Sequence, residues 1–224
     1  MVSVQFILAI GGNKMNNDFK DIMQNRKSIR HYDSSVKISR DELLEIINES
    51  ISAPSACNLQ SWHFVIVDTP EGKKKLHDFL MPFNYPQVDT APATIMVFGN
   101  TKSYLKYRDL WNGMVEEKKV TPEARDAAVN TFLPLYEKAD RQMLVADAMV
   151  DASLVAMQLM LVAREHGYET NPMAGYDASK AAAEFGLDPE QYIPVMAISI
   201  GKPDPSEVVP DTVRYDVKDV TEFA

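Results

Sequence analysis

SAPSACNLQSWHF, residues 52–64, is small and polar as far as Ser61 and turns aromatic at Trp62. Pro54 pushes the residue before it out of helical backbone, so any helix arriving from upstream must stop here. Beyond the aromatics, HFVIVD (63–68) is an apolar run of strand length. The stretch therefore reads as a polar loop, fed by a helix and set against the start of a strand. The helix is visible upstream. Ser39 suits an N-cap, and Glu42 three residues on completes a capping-box pattern. RDELLEIINESISA (40–53) then places Leu43, Ile46, Ile47 and Ile51 on one stripe, to be ended by Pro54.

Further upstream, NRKSIRHYD (25–33) crowds Arg26, Lys27 and Arg30 around Ser28, after a short helical pattern, DFKDIMQN (18–25), with Phe19, Ile22 and Met23 on one face. Guanidinium forks match phosphate oxygens in pairs, and a hydroxyl adds a neutral donor. A solvated basic turn has the same spacing. The rest of the chain is acidic: 224 residues carry a net charge of −9. That balance excludes nucleic acid and anionic membrane surfaces as partners, since both demand a basic face. Any anion must be held locally.

With 46 % apolar and 25 % charged residues, the length suits one domain, or one with a helical insertion. The single cysteine, Cys57, allows no intrachain disulfide, and a reducing, cytoplasmic setting is expected. No apolar run is expected to reach the roughly 20 residues of a membrane span. MVSVQFILAIGGNK (1–14) has a short apolar core but neither basic leader nor cleavage site, so a signal peptide is not expected. Met15 is an alternative native start, and the domain is taken as 15–224.

ATIMVFG (93–99) and PVMAISIG (194–201) read as further strands, near-continuously apolar as when both faces are covered. TPEGKKKLHDFL (69–80) suits a short helix, and DASKAAAEFG (177–186) another that stops at Gly186. Residues 101–142 are rich in charge and read as an exposed, mostly helical excursion, with Tyr107, Trp111 and Phe132 as candidates for a lid. The strongest helix is 144–167, apolar on nearly every side and expected to be buried almost all round. It is either a monomer's core helix or one packed across a dimer interface. The tail, 202–224, has three prolines and no helical period, and reads as an extended arm.

Much ordinary machinery is absent. Nine glycines form neither GxGxxG nor a Walker loop. The four histidines are scattered without zinc-ligand spacing, and there is no GxSxG elbow. Carboxylates read as solvated helix faces, Cys57 as a small buried filler and Trp62 as packing. The chemistry is expected from a bound cofactor.

Four elements in order identify which one. Arg26-Lys27-Ser28-Ile29-Arg30 is followed by a helix and by Pro54-Ser55-Ala56-Cys57-Asn58-Leu59-Gln60-Ser61-Trp62; Pro172-Met173-Ala174-Gly175-Tyr176-Asp177 precedes a late helix; AISIGKP closes the last strand before Arg214. This ordered set resembles the nitroreductase family of FMN-dependent NAD(P)H oxidoreductases, over about residues 18–215.

The resemblance implies an α+β fold, a central mostly antiparallel sheet flanked by helices, in an intertwined homodimer. Two FMN molecules lie at the interface, and the C-terminal arm wraps the partner. It implies hydride transfer from NADH or NADPH through flavin N5 to nitroaromatic, quinone-like or related acceptors in a ping-pong cycle. Carried across, Arg26, Ser28 and Arg214 face the phosphate and ribityl chain with Lys27 beside them, and Arg30 approaches the N1/O2 edge. A cation there stabilises the negative charge of reduced flavin, and no residue need act as nucleophile. Pro54, Ser55, Ala56 and Asn58 line the flavin from the other subunit. Asn84 meets the pyrimidine edge, and the backbone N–H groups of Ala174 and Gly175 point at N5 and O4.

Four positions differ from the family pattern. Ser61 replaces a proline and is expected to relax the turn. Gln87 and Thr212 stand where some relatives have cations, lowering flavin potential or affinity. Ala174 replaces a glutamate of some members. A specialised relative (a dehalogenase, a heterocycle oxidase or a flavin-consuming enzyme) and a non-catalytic FMN-binding protein are the alternatives.

Overall fold

The computed structural model describes residues 15–224, and the readings of residues 1–14 fall outside it. Strands β1 (Trp62–Val67), β2 (Ala93–Asn100), β3 (Glu169–Met173) and β4 (Tyr192–Gly201) form one sheet in the order β1-β2-β4-β3. Every neighbouring pair is antiparallel. Among the described residues the helices are α1 (Phe19–Gln24), α2 (Arg40–Ser50), α3 (Pro70–His77), α4 (Tyr85–Thr90), α5 (Tyr107–Glu116), α6 (Pro122–Glu137), α7 (Arg141–Glu165) and α8 (Ala178–Glu184).

The continuous apolar runs have a simple cause. On β2, Ile95 and Val97 face α2 and α7, whereas Met96 and Phe98 face a second core with α3 and α8; all four are fully buried. Both faces are covered, so period-2 alternation never shows, although the sheet is antiparallel. β3 was not legible. Its sequence ETNPM is polar and holds Pro172, which a sheet tolerates at an edge, and β3 is an edge. Beyond it, Ser28 bridges Thr170 in parallel, and Ile29 N–H donates to the Thr170 carbonyl at 3.2 Å.

At the N-cap of α2, Ser39 Oγ accepts the Glu42 N–H at 3.1 Å. The reciprocal half of the box does not form, because the Glu42 carboxylate takes the Tyr168 hydroxyl at 2.9 Å. The helix ends at Ser50, ahead of Pro54. In α1 only Ile22 of the expected stripe is buried; Phe19 and Met23 are exposed.

α7 lies across the sheet. A side chain on Gly99 would put its Cβ 2.8 Å from the Ala148 carbonyl oxygen, so glycine sets how closely helix and strand approach. Ala148, Ala152, Val155, Ala156, Leu159 and Ala163 pack inward. The opposite face is open: Met149, Val150, Leu154 and Met157 are 42–59 % exposed, correcting the expectation of burial all round. By length and composition this 25-residue helix could cross a membrane, which corrects the expectation that no run would; its inner face packs against the sheet as a core helix.

The excursion is helical, as α5 and α6. Tyr107 is buried with Val129, Tyr136 and Leu59, and Trp111 packs on them in an edge contact 6.1 Å from Tyr107. These two aromatics are the excursion's own core and not a lid; Phe132 is 38 % exposed. The first part of the arm lies on its own chain: Pro203 bridges Tyr32, Asp204 N–H donates to the His31 carbonyl, and Val209 packs on Ile29, Tyr32 and Ala91.

Candidate functional site

The basic turn and the arm enclose a cleft of about 210 Å³, lined by Arg26, Lys27, Ser28, Arg30, Thr212 and Arg214. Residues nearly two hundred positions apart meet because Ser28 and Ile29 hold to the edge of β3 while the arm folds back over them. The acids nearby are engaged elsewhere. Lys27 pairs with Asp211 at 2.6 Å, and Glu207, on the cleft wall, pairs with His31 at 2.8 Å. Arg214 donates only to the Thr212 hydroxyl (2.8 Å) and the Val213 carbonyl (3.0 Å). Arg26 is the telling group: its Nη1 is buried and meets no acceptor. Burial first, then the charges of Arg214 and Arg164, pull the Arg26 guanidinium below its ordinary value. Arginine does not give up its proton in this range, so an anion placed at this nitrogen would relieve the cost. A doubly ionised phosphate fits this donor set, forked guanidinium plus hydroxyl.

The loop 54–61 does not line this cleft. It stands before β1, at the sheet edge opposite the basic turn. Its backbone is unusual: Cys57, Asn58 and Gln60 all have positive φ, at 50°, 58° and 51°. Such backbone costs an ordinary side chain roughly 1–2 kcal/mol per residue. What holds it is Asp151 of α7, 1 % exposed, whose Oδ1 accepts the Ala56 N–H (2.8 Å) and Oδ2 the Ser61 N–H (3.3 Å). Burial raises the Asp151 carboxyl above the ordinary carboxylate value, and the two N–H bonds oppose that. Asp151 corrects the reading of the carboxylates as solvated. An aspartate amid MVDASLVAM, in an otherwise apolar helix, was the available signal.

Ser61 does not relax the turn. It is 3 % exposed, and its hydroxyl bonds that of Ser103 at 2.7 Å while its carbonyl accepts the Asn100 N–H at 3.0 Å. Cys57 is partly rather than fully buried: it packs against the cluster of Leu59, Tyr107, Val129 and Tyr136, and its sulfur lies 3.6 Å from the Tyr136 hydroxyl.

A third group joins residues 80–87 to 174–177. Leu80 bridges Tyr176, Met81 N–H donates to the Gly175 carbonyl at 2.9 Å, and Asn84 Nδ2 donates to the same oxygen at 2.9 Å. A Cβ at Gly175 would stand 2.6 Å from Phe83 and 2.7 Å from Asn84 Nδ2, so a side chain there would have to displace the Phe83 ring and the Asn84 amide. Gln87, 2 % exposed, sits behind: its amide NH2 faces the carbonyls of Asn84 (3.2 Å) and Phe83 (3.3 Å), and its oxygen accepts from Asn171 (3.3 Å). It braces Asn84. The N–H groups of Ala174 and Gly175 have no acceptor among the described residues.

Comparison with known proteins places this arrangement. The sequence profile of the nitroreductase family matches residues 23–202. A Lactiplantibacillus plantarum protein named CLA biosynthesis enone reductase is 52 % identical over 211 residues, covering 94 % of this chain and 96 % of its own. A Bacillus subtilis (strain 168) protein bearing the name of an NAD(P)H nitroreductase, YdgI, is 45 % identical over 186 residues, 83 % of this chain and 88 % of that one. The crystal structure of a protein from Exiguobacterium sibiricum 255-15, named as a nitroreductase in complex with FMN, superposes with a TM-score of 0.90 at 39 % identity, over 95 % of this chain and 100 % of that one.

Proposed function

This chain belongs to the nitroreductase family, and from that premise we propose that it is an NAD(P)H oxidoreductase that holds FMN in the cationic cleft and reduces conjugated acceptors. One observation carries the flavin part of the reading: a buried guanidinium nitrogen without an acceptor, among other cations, in a chain of net charge −9.

Arg26, Ser28 and Arg214 would hold the phosphate, with Lys27 beside them. Arg30, on the same cleft, would offer its charge to the pyrimidine edge, and Asn84, braced by Gln87, would orient that edge. The unpaired N–H groups of Ala174 and Gly175 are donors free to meet acceptors on the ring. When bound, FMN supplies the hydride chemistry; this chain binds it, fixes its orientation and places positive charge where negative charge develops.

Pro54, Ser55, Ala56 and Asn58 lie at the far edge of the sheet and would reach the ring from a second copy. The open apolar face of α7 is the surface on which that copy would pack, making a homodimer in which each site draws on two chains. For the acceptor, the relative named as an enone reductase favours α,β-unsaturated ketones beside nitroaromatics and quinones. All three share an electron-poor conjugated system.

The test is a purification without added flavin, followed by anaerobic titration with NADH and NADPH. The protein is expected to be yellow, to bleach with a nicotinamide and to recover colour on adding an enone, a nitroaromatic or a quinone. A colourless protein that ignores added FMN ends the flavin reading. Bleaching that no acceptor class reverses ends the enzymatic one.

A further inference from the structure

A second cleft, of about 370 Å³, lies beside the excursion, apart from the cationic cleft, and shares Leu59 and Gln60 with the loop before β1. Its volume is within the roughly 300–1,000 Å³ of small-molecule sites. One wall is the sheet: Trp62 and His63 open β1, and Tyr192 opens β4, with the His63 and Tyr192 rings 4.8 Å apart. The other wall is the start of α5, with Lys106, Tyr107 and Leu110.

The lining is unusual for so acidic a chain, because no carboxylate is in it. Its donors are also unspent. Among the described residues, Lys106 makes no ion pair or hydrogen bond, and neither the His63 ring nitrogens, the Trp62 indole N–H nor the Tyr192 hydroxyl has a hydrogen-bond partner. Burial pulls the His63 imidazole below its ordinary value, so the ring is a neutral donor near pH 7, and Lys106 is the one cationic lining group.

One ammonium with neutral donors suits a singly charged group. A phosphate would be better served by the guanidinium forks of the other cleft. The indole, Leu59 and Leu110 give the same cleft an apolar side. Gln60 and Leu110 also line a neighbouring depression with Asn58, Gly113 and Met114, and its remaining walls are the charged Asp109, Glu117 and Lys119, so the space continues past Leu110 but turns polar there and the apolar wall is limited to Trp62, Leu59 and Leu110.

We infer that this cleft binds an amphipathic monocarboxylate, its head group on Lys106 and the His63 ring, its hydrocarbon part along Trp62 and Leu110. The site goes beyond the flavin reading and does not rest on it. A ligand of this shape would lie beside the Asn58 turn.

The test reads binding, not turnover, on the full-length protein as purified. Octanoate and octanamide, equal in chain length, are titrated by calorimetry, and the Trp62 indole N–H is followed by NMR. Octanoate is expected to bind saturably, about 10-fold more tightly than octanamide, as charge-assisted hydrogen bonds allow, and to shift the Trp62 signal. Lys106→Gln, at an exposed position that the fold does not need, is expected to erase that preference while leaving octanamide binding unchanged. Equal affinities for the two ligands, a preference that survives Lys106→Gln, or an unmoved Trp62 signal each overturn the assignment. None of these results bears on whether FMN is bound, so the two readings fail separately.

Discussion

Arg26→Gln is expected to move two measurements in opposite directions: the flavin-free protein becomes more stable, and FMN affinity falls about 100-fold. In the free chain Nη1 is buried without an acceptor and the guanidinium faces Arg214 and Arg164. An unsatisfied buried polar group costs roughly 1–3 kcal/mol, and a neutral amide relieves part of that cost along with the like-charge repulsion. With FMN bound the sign reverses. Charge-assisted hydrogen bonds to phosphate contribute roughly 1.5–3 kcal/mol each, and about 2.7 kcal/mol is two decades in affinity. Melting curves with and without FMN and a fluorescence titration check both halves. A variant that melts lower when flavin-free, yet keeps its FMN affinity, would show Arg26 to be a packing residue.

Asp151→Ala is the second. It leaves the Ala56 and Ser61 N–H groups without their acceptors and frees a loop with three residues at positive φ. Two lost partners at roughly 1–3 kcal/mol each, partly offset by removing a desolvated carboxylate, leave a net loss of about 2 kcal/mol. Asp151→Asn spares one acceptor but turns its NH2 toward a second donor, so it rescues only partly. Under the proposed function, both variants lose flavin faster than the parent in a dialysis assay. Unchanged melting and unchanged flavin retention in Asp151→Ala would remove this residue from the site.

Asp151 also has a pH signature. Its carboxyl is raised by burial, so between the ordinary carboxylate value and its own the folded chain binds more protons than the unfolded one. This group therefore adds stability as pH falls through its folded value and adds none above it. Protonation meanwhile turns one acceptor into an O–H. Acid should loosen the loop without unfolding the chain through this residue, and the Asn variant should lack that response.

The sequence carried the residue types of the site better than their arrangement. Arg26, Ser28 and Arg214, which the structure brings to one cleft, stand out in the sequence through the family resemblance. That Nη1 of Arg26 is buried without an acceptor is not legible, because it depends on the folded surroundings, with Arg164 of α7 and Arg214 of the arm brought near it. Asp151 is not legible as an anchor, since its hold on Ala56 spans 95 positions and exists only once α7 lies on the sheet. β3 was hidden by its polar residues and Pro172. Tyr107 and Trp111 stand out only as candidates for a lid, because aromatics in a charged segment look exposed, whereas α5 and α6 build a small core from them. The helix pattern of α7 is plain, but its open side, with Met149, Val150, Leu154 and Met157, becomes apparent only once the other face lies on the sheet.

Asp151 holds the loop at its two ends, through the main-chain amides of Ala56 and Ser61. Residues 57 to 60 owe that anchor nothing by way of side chain, so their chemistry can drift while the loop keeps its shape. Only the left-handed backbone filters what arrives: asparagine, aspartate and glycine pass easily, while β-branched residues do not. The same scaffold can thus present different faces to different acceptors across evolution, or under directed selection, without its foundation being rebuilt.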